Sequence, residues 1–276
     1  MHIHNRVCIS TNGREREQLT VNKSIMDDVA KHAQQDWIKE SGSGPTMYFS
    51  NQYVKPYRST VMLHEWLKRR NVFAGRNRIA DVACGMGAPT AYFASKEPQC
   101  EFTGLDFNPL LVKEAQERSR QVPNARFEEG NIYQLQSKYY GKFDGILSLQ
   151  TLSWLDGYEE PVRQMAAIDP RWIAITSLFF DGPVDARISI QDYSKPMDDK
   201  PFKDAFYNTY SLPRFKEFMR RLGYHAFDCS PFEIDCDLER IRGAGMDTYT
   251  RRLEGGVRLQ ISGPLLMNWY FILASK

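Results

Sequence analysis

Short apolar runs separated by amphipathic stretches fill the middle of this chain. From residue 79 onward, apolar runs of strand length alternate with segments in which apolar residues recur at helical spacing. Parallel strands covered by helices on both faces have this rhythm, because each strand is buried on both sides. Strands are expected at 79–83, 101–105, 125–128, 143–149 and 172–179. Helices are expected between them at 88–96, 109–120 and 158–167.

The pattern changes after residue 180. Ser211 is placed to cap a helix that ends at Gly223. Residues 248–263 predict a hairpin that turns at Gly255 and Gly256. The remaining strands are expected at 186–192, 224–234 and 268–274. In the first of them apolar and polar residues alternate, as in an exposed edge strand.

The amino-terminal part has a different character. A helix is expected over 24–40, followed by a Ser-Gly linker at 41–45. An aromatic, irregular stretch over 48–58 then precedes a second helix that carries Met62, Leu63, Trp66 and Leu67. We predict a cap segment at 1–74 and a main domain at 75–276. The main domain has two insertions, at 182–210 and 248–263.

Composition narrows the class of partner. The 36 Lys and Arg residues nearly balance the 34 Asp and Glu residues, and no long run has one sign. Nucleic-acid binders usually carry a basic block, so this balance favours a small-molecule partner. The five cysteines form neither a CxxC pair nor a zinc pattern. The amino terminus lacks a secretory signal, and the apolar stretch 264–274 is too short to span a bilayer. We therefore expect a cytoplasmic protein without a metal or a membrane contact; its oligomeric state is left open.

A glycine turn carries the first sign of chemistry. Asp81 lies in the first strand of the alternating region, and Gly85 and Gly87 follow before the helix at 88–96. Such a turn lets the backbone approach a ligand at a helix amino terminus. Asp106 ends the next strand, where an acidic side chain can accept hydrogen bonds from ribose hydroxyls. The sequence therefore predicts a nucleoside-type cofactor at this edge of the sheet.

Two cofactors compete for this turn. A nicotinamide dinucleotide calls for G-x-G-x-x-G, but Thr90 stands at the third glycine and Pro89 lies in the helix start. S-adenosylmethionine has no phosphate, and an acidic residue such as Asp81 can help to hold its cationic methionine end. A nicotinamide dehydrogenase is therefore the weaker alternative.

Four segments in order, IADVACGMG, FTGLDFN, FEEGNI and FDGILSL, resemble the first four motifs of class I S-adenosylmethionine-dependent methyltransferases. The resemblance covers about residues 75–180. It implies a methyltransferase with a Rossmann-like, doubly wound sheet of seven strands, the last antiparallel, and S-adenosylmethionine as its cofactor. Ala83 departs from the family's usual glycine but adds only a methyl group, and Asn131 stands where the family commonly has Asp. The residues implied to contact the cofactor are Asp81, Ala83, Cys84, Gly85, Gly87, Asp106, Phe107, Asn131, Ile132 and Gln150.

Ligands of open parallel sheets bind beyond the carboxyl ends of the strands, and this rule selects the other candidates. Asp181 follows the fifth strand and is the first candidate for a general base, with Tyr193 as the second. The aromatic stretch is either a lid over the site or a layer packed on the sheet. The residues predicted to form the lid and the opposite wall are Tyr48, Tyr53, Tyr57, Arg58, Trp154 and Tyr207.

We therefore expect an enzyme that moves a methyl group to an oxygen or nitrogen of a small polar molecule, with sugars and secondary metabolites as candidates. The aspartates of the first insertion disfavour a phosphate backbone as the partner. The alternative from another class is a non-catalytic regulatory protein that binds S-adenosylmethionine or S-adenosylhomocysteine.

Overall fold

A computed structural model describes residues 52–192, 203–240 and 246–276 of the chain. The predicted helix at 24–40 and the candidate residues Tyr48 and Tyr193 lie outside these ranges. The strands are β1 (Arg78–Val82), β2 (Glu101–Asp106), β3 (Ala125–Glu129), β4 (Gly145–Leu149), β5 (Trp172–Phe180), β6 (Ser189–Asp192), β7 (Lys203–Phe206), β8 (Tyr210–Ser211), β9 (Ala226–Pro231), β10 (Thr248–Arg252), β11 (Arg258–Ser262) and β12 (Trp269–Ser275). The helices are α1 (Arg58–Lys68), α2 (Ala88–Lys96), α3 (Pro109–Arg118), α4 (Gln136–Tyr139), α5 (Glu159–Ala167) and α6 (Leu212–Arg221).

The main sheet has the order β3-β2-β1-β4-β5-β12-β9, and the short β8 pairs with the end of β5 as an eighth strand. Strands β1 to β5 are parallel to one another, whereas β12 is antiparallel to both β5 and β9. The predicted doubly wound sheet with an antiparallel last strand is therefore confirmed. Its parallel arrangement brings the carboxyl ends of β1, β2, β4 and β5 to one edge.

Alternating side chains of the central strands feed two separate cores. In β1, Ile79 packs on the face covered by α1 and α2, and Ala80 packs on the face covered by α5 and α6. All nine residues of β5 except Phe180 are buried. This double burial explains why the strands read as continuous apolar runs rather than as an alternating pattern.

Capping residues set the ends of two helices as predicted. The Asn108 side chain accepts a hydrogen bond from the Leu110 N–H at 2.9 Å, and a proline occupies the first turn of α3. Ser211 accepts from the Arg214 N–H at 3.3 Å at the start of α6. Both helices end one or two residues earlier than their apolar pattern suggests, which is within the usual variation of helix ends.

The first insertion differs from the prediction. The strand expected at 186–192 is shorter, spans 189–192, and pairs with β7 in a separate two-stranded sheet instead of lying at the edge of the main sheet. Ala186 makes only an isolated bridge to Thr209. An alternating pattern predicts a strand with one buried face, but it does not identify the partner strand.

The second insertion forms the predicted hairpin from β10 and β11. Gly255 and Gly256 have φ angles of 87° and 83°, as a two-glycine turn requires. The division of the chain at residue 74 remains a prediction; across it, Leu63, Trp66 and Leu67 of α1 pack in the same core as Ile79.

A buried hydrogen bond anchors α1 to the rest of the fold. The His64 Nε2 lies 2.6 Å from the Glu97 Oε1, and both residues are buried. Burial would raise the pKa of Glu97, but hydrogen bonds from Gln99, His64 and Lys68 outweigh burial and lower the pKa below its usual value. The structure thus assigns His64 a packing role.

We expect Glu97→Gln to lower the free energy of unfolding at neutral pH by about 1–3 kcal/mol, because the substitution removes the charge that His64 and Lys68 pair with. The pKa of Glu97 is depressed in the folded state, so this stabilisation is present above the unfolded pKa near 4.5 and is lost as the pH falls through the lower folded value. Denaturant titrations at pH 7 and pH 4 measure both effects. The exposed pair Glu101–Arg126 provides the control Glu101→Gln, for which a loss as large as that of Glu97→Gln would contradict this account.

Candidate functional site

The turn after β1 is built from left-handed backbone. Ala83, Gly85 and Gly87 have φ angles of 61°, 58° and 77°. A Cβ atom on Gly87 would lie 2.2 Å from the Cε1 atom of Phe127, so that position requires glycine for its space as well as its conformation. The turn therefore presents the amino terminus of α2 at the carboxyl edge of the sheet.

The backbone of Ala83 is strained, whereas from the sequence we expected this residue only to add a methyl group. A non-glycine residue in the left-handed region costs about 1–2 kcal/mol. Gln150, at the end of β4, has a φ angle of 56° and is held there because its N–H donates to the backbone O and the Oγ1 of Thr176, both at 2.9 Å. Strained backbone thus occurs at the ends of both β1 and β4.

Asp81 is a fully buried carboxyl group at this turn. Its Oδ2 accepts a hydrogen bond from the Thr90 Oγ1 at 2.5 Å, whereas its Oδ1 has no partner among the residues that the structure describes. Burial raises the pKa of Asp81 to about 7; the Thr90 hydrogen bond lowers the pKa and the nearby Asp106 raises it. The unpaired oxygen is the kind of buried group that a ligand completes.

Asp106 links the end of β2 to the same turn. Its Oδ2 accepts from the Gly85 N–H at 2.8 Å, and its Oδ1 accepts from the Asn108 N–H at 3.0 Å. Burial raises the pKa of Asp106 to about 6, although these backbone hydrogen bonds lower it. Across the described ranges, neither Asp81 nor Asp106 has an ion-pair partner, so the site favours a cation over a phosphate.

The neighbouring strand ends supply an apolar border. Phe107, directly after β2, leaves 38% of its surface exposed, and Ile132, after β3, is buried. Asn131 closes the turn after β3 by accepting from the Tyr133 N–H at 2.9 Å. Cys84 packs with Phe127 beneath the turn, and burial raises its thiol pKa well above the usual value. Cys84 therefore contributes its backbone to this edge and not a reactive thiol.

An aromatic wall stands beyond β4. The rings of Trp154 and Tyr207 are 4.8 Å apart, and the Tyr207 ring is 6.3 Å from that of Trp269 at the start of β12. The preceding Ser153 hydroxyl is 2.6 Å from the Ser177 Oγ and accepts from the Leu178 N–H. Ser153 thus fixes the loop to β5. Tyr207 and Trp269 are buried in the core, and Trp154 is the partly exposed ring of the three.

Comparison with known proteins bears directly on this edge. Residues 79–168 match a family model described as a methyltransferase domain. The chain is 37% identical over 78 residues to the trans-aconitate 2-methyltransferase of Deinococcus radiodurans, which covers 28% of each chain. It is 30% identical over 96 residues to the enzyme of that name from Escherichia fergusonii, over 34% of this chain and 36% of the relative. The alignments thus span about a third of the curated relatives' length.

Residues 79–168 therefore carry a methyltransferase domain.

Solved structures with the same fold match a larger part of this chain than the curated relatives do. The YcgJ protein from Bacillus subtilis matches 78% of it with a TM-score of 0.52 and 12% identity, over 98% of its own length. The magnesium protoporphyrin IX methyltransferase from Synechocystis PCC 6803, solved with S-adenosylhomocysteine, matches 92% of it with a TM-score of 0.52 and 14% identity, over 99% of its own length. At these identities the likeness concerns the fold alone.

Three of the predicted lid residues, Tyr53, Tyr57 and Arg58, have different surroundings. The Tyr53 hydroxyl donates to the Met86 O at 2.6 Å and lies 3.0 Å from the Ser119 Oγ, so it rests directly on the glycine turn. The Arg58 Nε donates to the Asp235 Oδ1 at 2.8 Å. Tyr57 is half-buried, and burial raises its pKa to about 12. A lid role for these residues stays a prediction.

Asp181 is exposed directly after β5. Burial is the main cause that raises the pKa of Tyr270 on β12, and the charge of Asp181 is the second. The same charge contributes to the raised pKa of Cys229 on β9. Tyr270 packs on the face covered by α6, whereas the aromatic wall lies on the other face. The structure therefore does not join Asp181 to the wall, and its role as a base stays a prediction.

The sequence reasoning missed the partners that shape the turn. In the sequence, Thr90 was noted only because it stands where a dinucleotide turn has glycine, yet its hydroxyl donates to Asp81. Phe127 was expected only as part of a strand, yet its ring leaves no space for a side chain at Gly87. Within 52–192, 203–240 and 246–276, no group of three or more His, Cys, Asp and Glu residues is placed to hold a metal. In the same ranges no helix is long and apolar enough to cross a membrane.

We expect Ala83→Gly to raise the free energy of unfolding by about 1 kcal/mol, because glycine adopts the left-handed conformation without strain. Thermal and urea denaturation of the ligand-free protein measure the gain. Destabilisation by Ala83→Gly would contradict the strain assigned to this position.

Alanine substitutions at two glycines distinguish the cost of backbone strain from the cost of steric overlap in the same experiment. Gly75 has a φ angle of 75° with no atom within 4 Å of an added Cβ, so Gly75→Ala reports strain alone. Gly87→Ala adds the overlap with Phe127 and is expected to destabilise by more than Gly75→Ala.

Proposed function

We propose that this chain is an enzyme that transfers the methyl group of S-adenosylmethionine to an oxygen or nitrogen of a small polar molecule. The observation that carries the proposal is the pair of buried carboxyl groups, Asp81 and Asp106, without an ion-pair partner within the described residues. A cationic cofactor supplies the missing charge, whereas the pyrophosphate of a nicotinamide dinucleotide would repel both groups.

The residues at the edge fit this cofactor. Asp106 ends β2, where its carboxylate can accept from ribose hydroxyls, and Phe107 beside it offers an exposed ring for the adenine. The unpaired Asp81 Oδ1 suits the ammonium group of the methionine end. The left-handed turn from Ala83 to Gly87 brings backbone close to that end without a side chain in the way. Asn131, Ile132 and Gln150 complete the proposed border.

When bound, S-adenosylmethionine supplies a methyl group on a positively charged sulfur that leaves as a neutral thioether. The protein's own task is then to align the acceptor with that methyl group and to exclude water. Trp154 and Tyr207 provide an apolar wall for this purpose, and Tyr53 anchors the amino-terminal segment on the turn. Asp181 and Tyr193 are the proposed proton acceptors for an acceptor group that must lose a proton.

The acceptor need not be the tricarboxylate in the names of the curated relatives, since those alignments cover only about a third of each relative's length. A polycarboxylate site needs cations that are free to bind it. Five arginines are instead paired with aspartates: Arg58 of α1 with Asp235, Arg187 with Asp156, Arg214 of α6 with Asp185, and Arg252 and Arg258 with Asp237. Arg251 of the second insertion lies over the Tyr249 ring. This neutralisation supports an uncharged or amine-bearing acceptor, a cytoplasmic small molecule rather than a nucleic acid or membrane.

Calorimetry with S-adenosylhomocysteine, S-adenosylmethionine and NAD⁺ tests the cofactor. We expect the first two to bind and NAD⁺ to fail, and Asp106→Asn to weaken binding about tenfold or more, because the ribose loses a charged acceptor. Asp144→Asn, at the opposite edge where Asp144 pairs with Arg78, is the matched control. Transfer of a labelled methyl group across sugars, amines, phenols and RNA then tests the enzyme: labelling of RNA alone, or of nothing, would refute the proposed activity.

We expect the affinity for S-adenosylhomocysteine to fall as the pH drops below 7. The pKa of Asp81 in the free protein is about 7, so below that pH the site is protonated, while the ligand's ammonium group favours the ionised form. Binding then releases a proton and weakens by at most about tenfold per pH unit. Calorimetry from pH 5.5 to 8 measures the slope.

Asp81→Asn is the control for this titration and should flatten the pH profile. The folded pKa of Asp81 lies above its ordinary value of 3.8, so its stabilising contribution is present below pH 4 and is lost as the pH rises through 7. Asp81→Asn should therefore stabilise the ligand-free protein more at pH 8 than at pH 5. An unchanged pH profile in the variant would assign the titration to another group.

A further inference from the structure

Gln260 is a buried glutamine whose carboxamide has no partner among the residues that the structure describes. It lies in β11 with 5% of its surface exposed. Neither its Oε1 nor its Nε2 has a hydrogen-bond partner within the described residues. A carboxamide offers a donor and an acceptor, and buried side chains of this type are nearly always paired because leaving both groups unpaired costs stability. Gln260 therefore needs a physical explanation.

The carboxamide is on the side of the hairpin that faces the protein. Gln260 stands opposite Thr250 in the β10–β11 ladder, so the two side chains share a face. The Thr250 Oγ1 accepts from the Leu238 N–H at 2.8 Å, and Leu238 packs on the core cluster that contains Tyr207. Ser262, on the same face, donates to the Met267 O at 2.9 Å. This face is thus directed inward.

The hairpin reaches the aromatic wall at the carboxyl edge. A Cβ atom on Gly263, directly after β11, would lie 3.3 Å from the Cε1 atom of Tyr207. The Tyr207 ring is in turn 4.8 Å from that of Trp154, which follows β4. Trp269, at the start of β12, pairs with Leu178 near the carboxyl end of β5. These contacts connect Gly263, three residues after Gln260, with Trp154 beyond the carboxyl end of β4.

We propose that Gln260 recognises the methyl acceptor by donating through its Nε2 and accepting through its Oε1. The acceptor must then carry a group that both donates and accepts, a hydroxyl or a primary amide. The wall of Trp154 and Tyr207 favours a flat, apolar body for the rest of that molecule. The proposal rests on the proposed function, since it assigns a substrate class to the same site. Gln260 determines specificity and does not take part in the chemistry.

Binding of three probes tests the proposal. Phenol, benzamide and toluene are titrated against the full chain saturated with S-adenosylhomocysteine, and ligand-observed NMR measures their affinities. We expect the wild type to bind phenol and benzamide at least about tenfold more tightly than toluene, because sites built to hydrogen-bond a ligand reject analogues that lack the polar group. Gln260→Leu should lose this preference. Equal affinities in the wild type, no binding of phenol and benzamide, or a preference that survives in Gln260→Leu would overturn the proposal.

The melting temperature of the ligand-free protein distinguishes recognition from structural support. Gln260→Leu should raise it, because an unpaired buried amide is removed. Gln164→Leu is the matched control and should lower it, since the Gln164 Oε1 accepts from the Leu135 N–H at 3.2 Å and its Nε2 donates to Glu160 at 2.7 Å. A decrease in Gln260→Leu would indicate a structural role and overturn the proposal.

The affinity for S-adenosylhomocysteine is a separate readout. It should be the same in the wild type and in Gln260→Leu, because Gln260 faces the acceptor and not the cofactor turn. A wild type that fails to bind S-adenosylhomocysteine refutes the proposed function, whereas a normal affinity with no preference among the probes refutes only the role of Gln260.

Discussion

The hydrogen bond from the Gly85 N–H to the Asp106 Oδ2 is the contact on which the candidate site depends. It ties the turn after β1 to the end of β2, two strands that the parallel ladder already holds side by side from Arg78 opposite Glu101 onward. The bond requires Gly85 to point its N–H toward β2, which the left-handed turn allows. Two acidic groups, Asp81 and Asp106, are thereby kept at one edge of the sheet without a counter-ion within the described chain.

Features that cost stability concentrate at this edge. Ala83 and Gln150 hold left-handed backbone here, whereas Asn71 and Asp169, the other described non-glycine residues with positive φ, are of types that tolerate it. Asp81 at this edge, Ser148 of β4 and Gln260 of the hairpin hold buried polar atoms without partners in the part of the chain that the structure describes. Strain and unpaired groups persist only where the surrounding packing imposes them, and they cluster at functional sites. Away from the edge, His64 has a buried hydrogen-bond partner in Glu97. The contrast indicates that the edge is organised for a ligand rather than for the stability of the free protein.

The fold was largely predictable because burial on both faces leaves a strong local signature. The five parallel strands, the capped helices α3 and α6 and the hairpin all follow from periodicity, caps and glycines that any window of the chain displays. The small sheet of β6 and β7 could not be predicted, because the pairing of 189–192 with 203–206 depends on which other strand is available in the folded protein. The site was predictable to the extent that motif order places Asp106 and Gly87, but not the Phe127 ring that makes Gly87 obligatory.

The sequence by itself determined the type of fold and the likeness to a methyltransferase domain, and it predicted the edge where a cofactor would bind, because strand order and turn residues are encoded locally. Only the tertiary structure decided which polar groups are left without partners, since a hydrogen bond is made or missed by elements far apart in the chain. Asp81 accepts a hydrogen bond from Thr90, yet its second oxygen has no partner among the described residues. Gln260 looks like an ordinary polar residue of a hairpin strand, but its carboxamide is buried and has no partner among those residues either. Desolvation is a property of the packed molecule, and it is desolvation that turns these side chains into candidate binding groups.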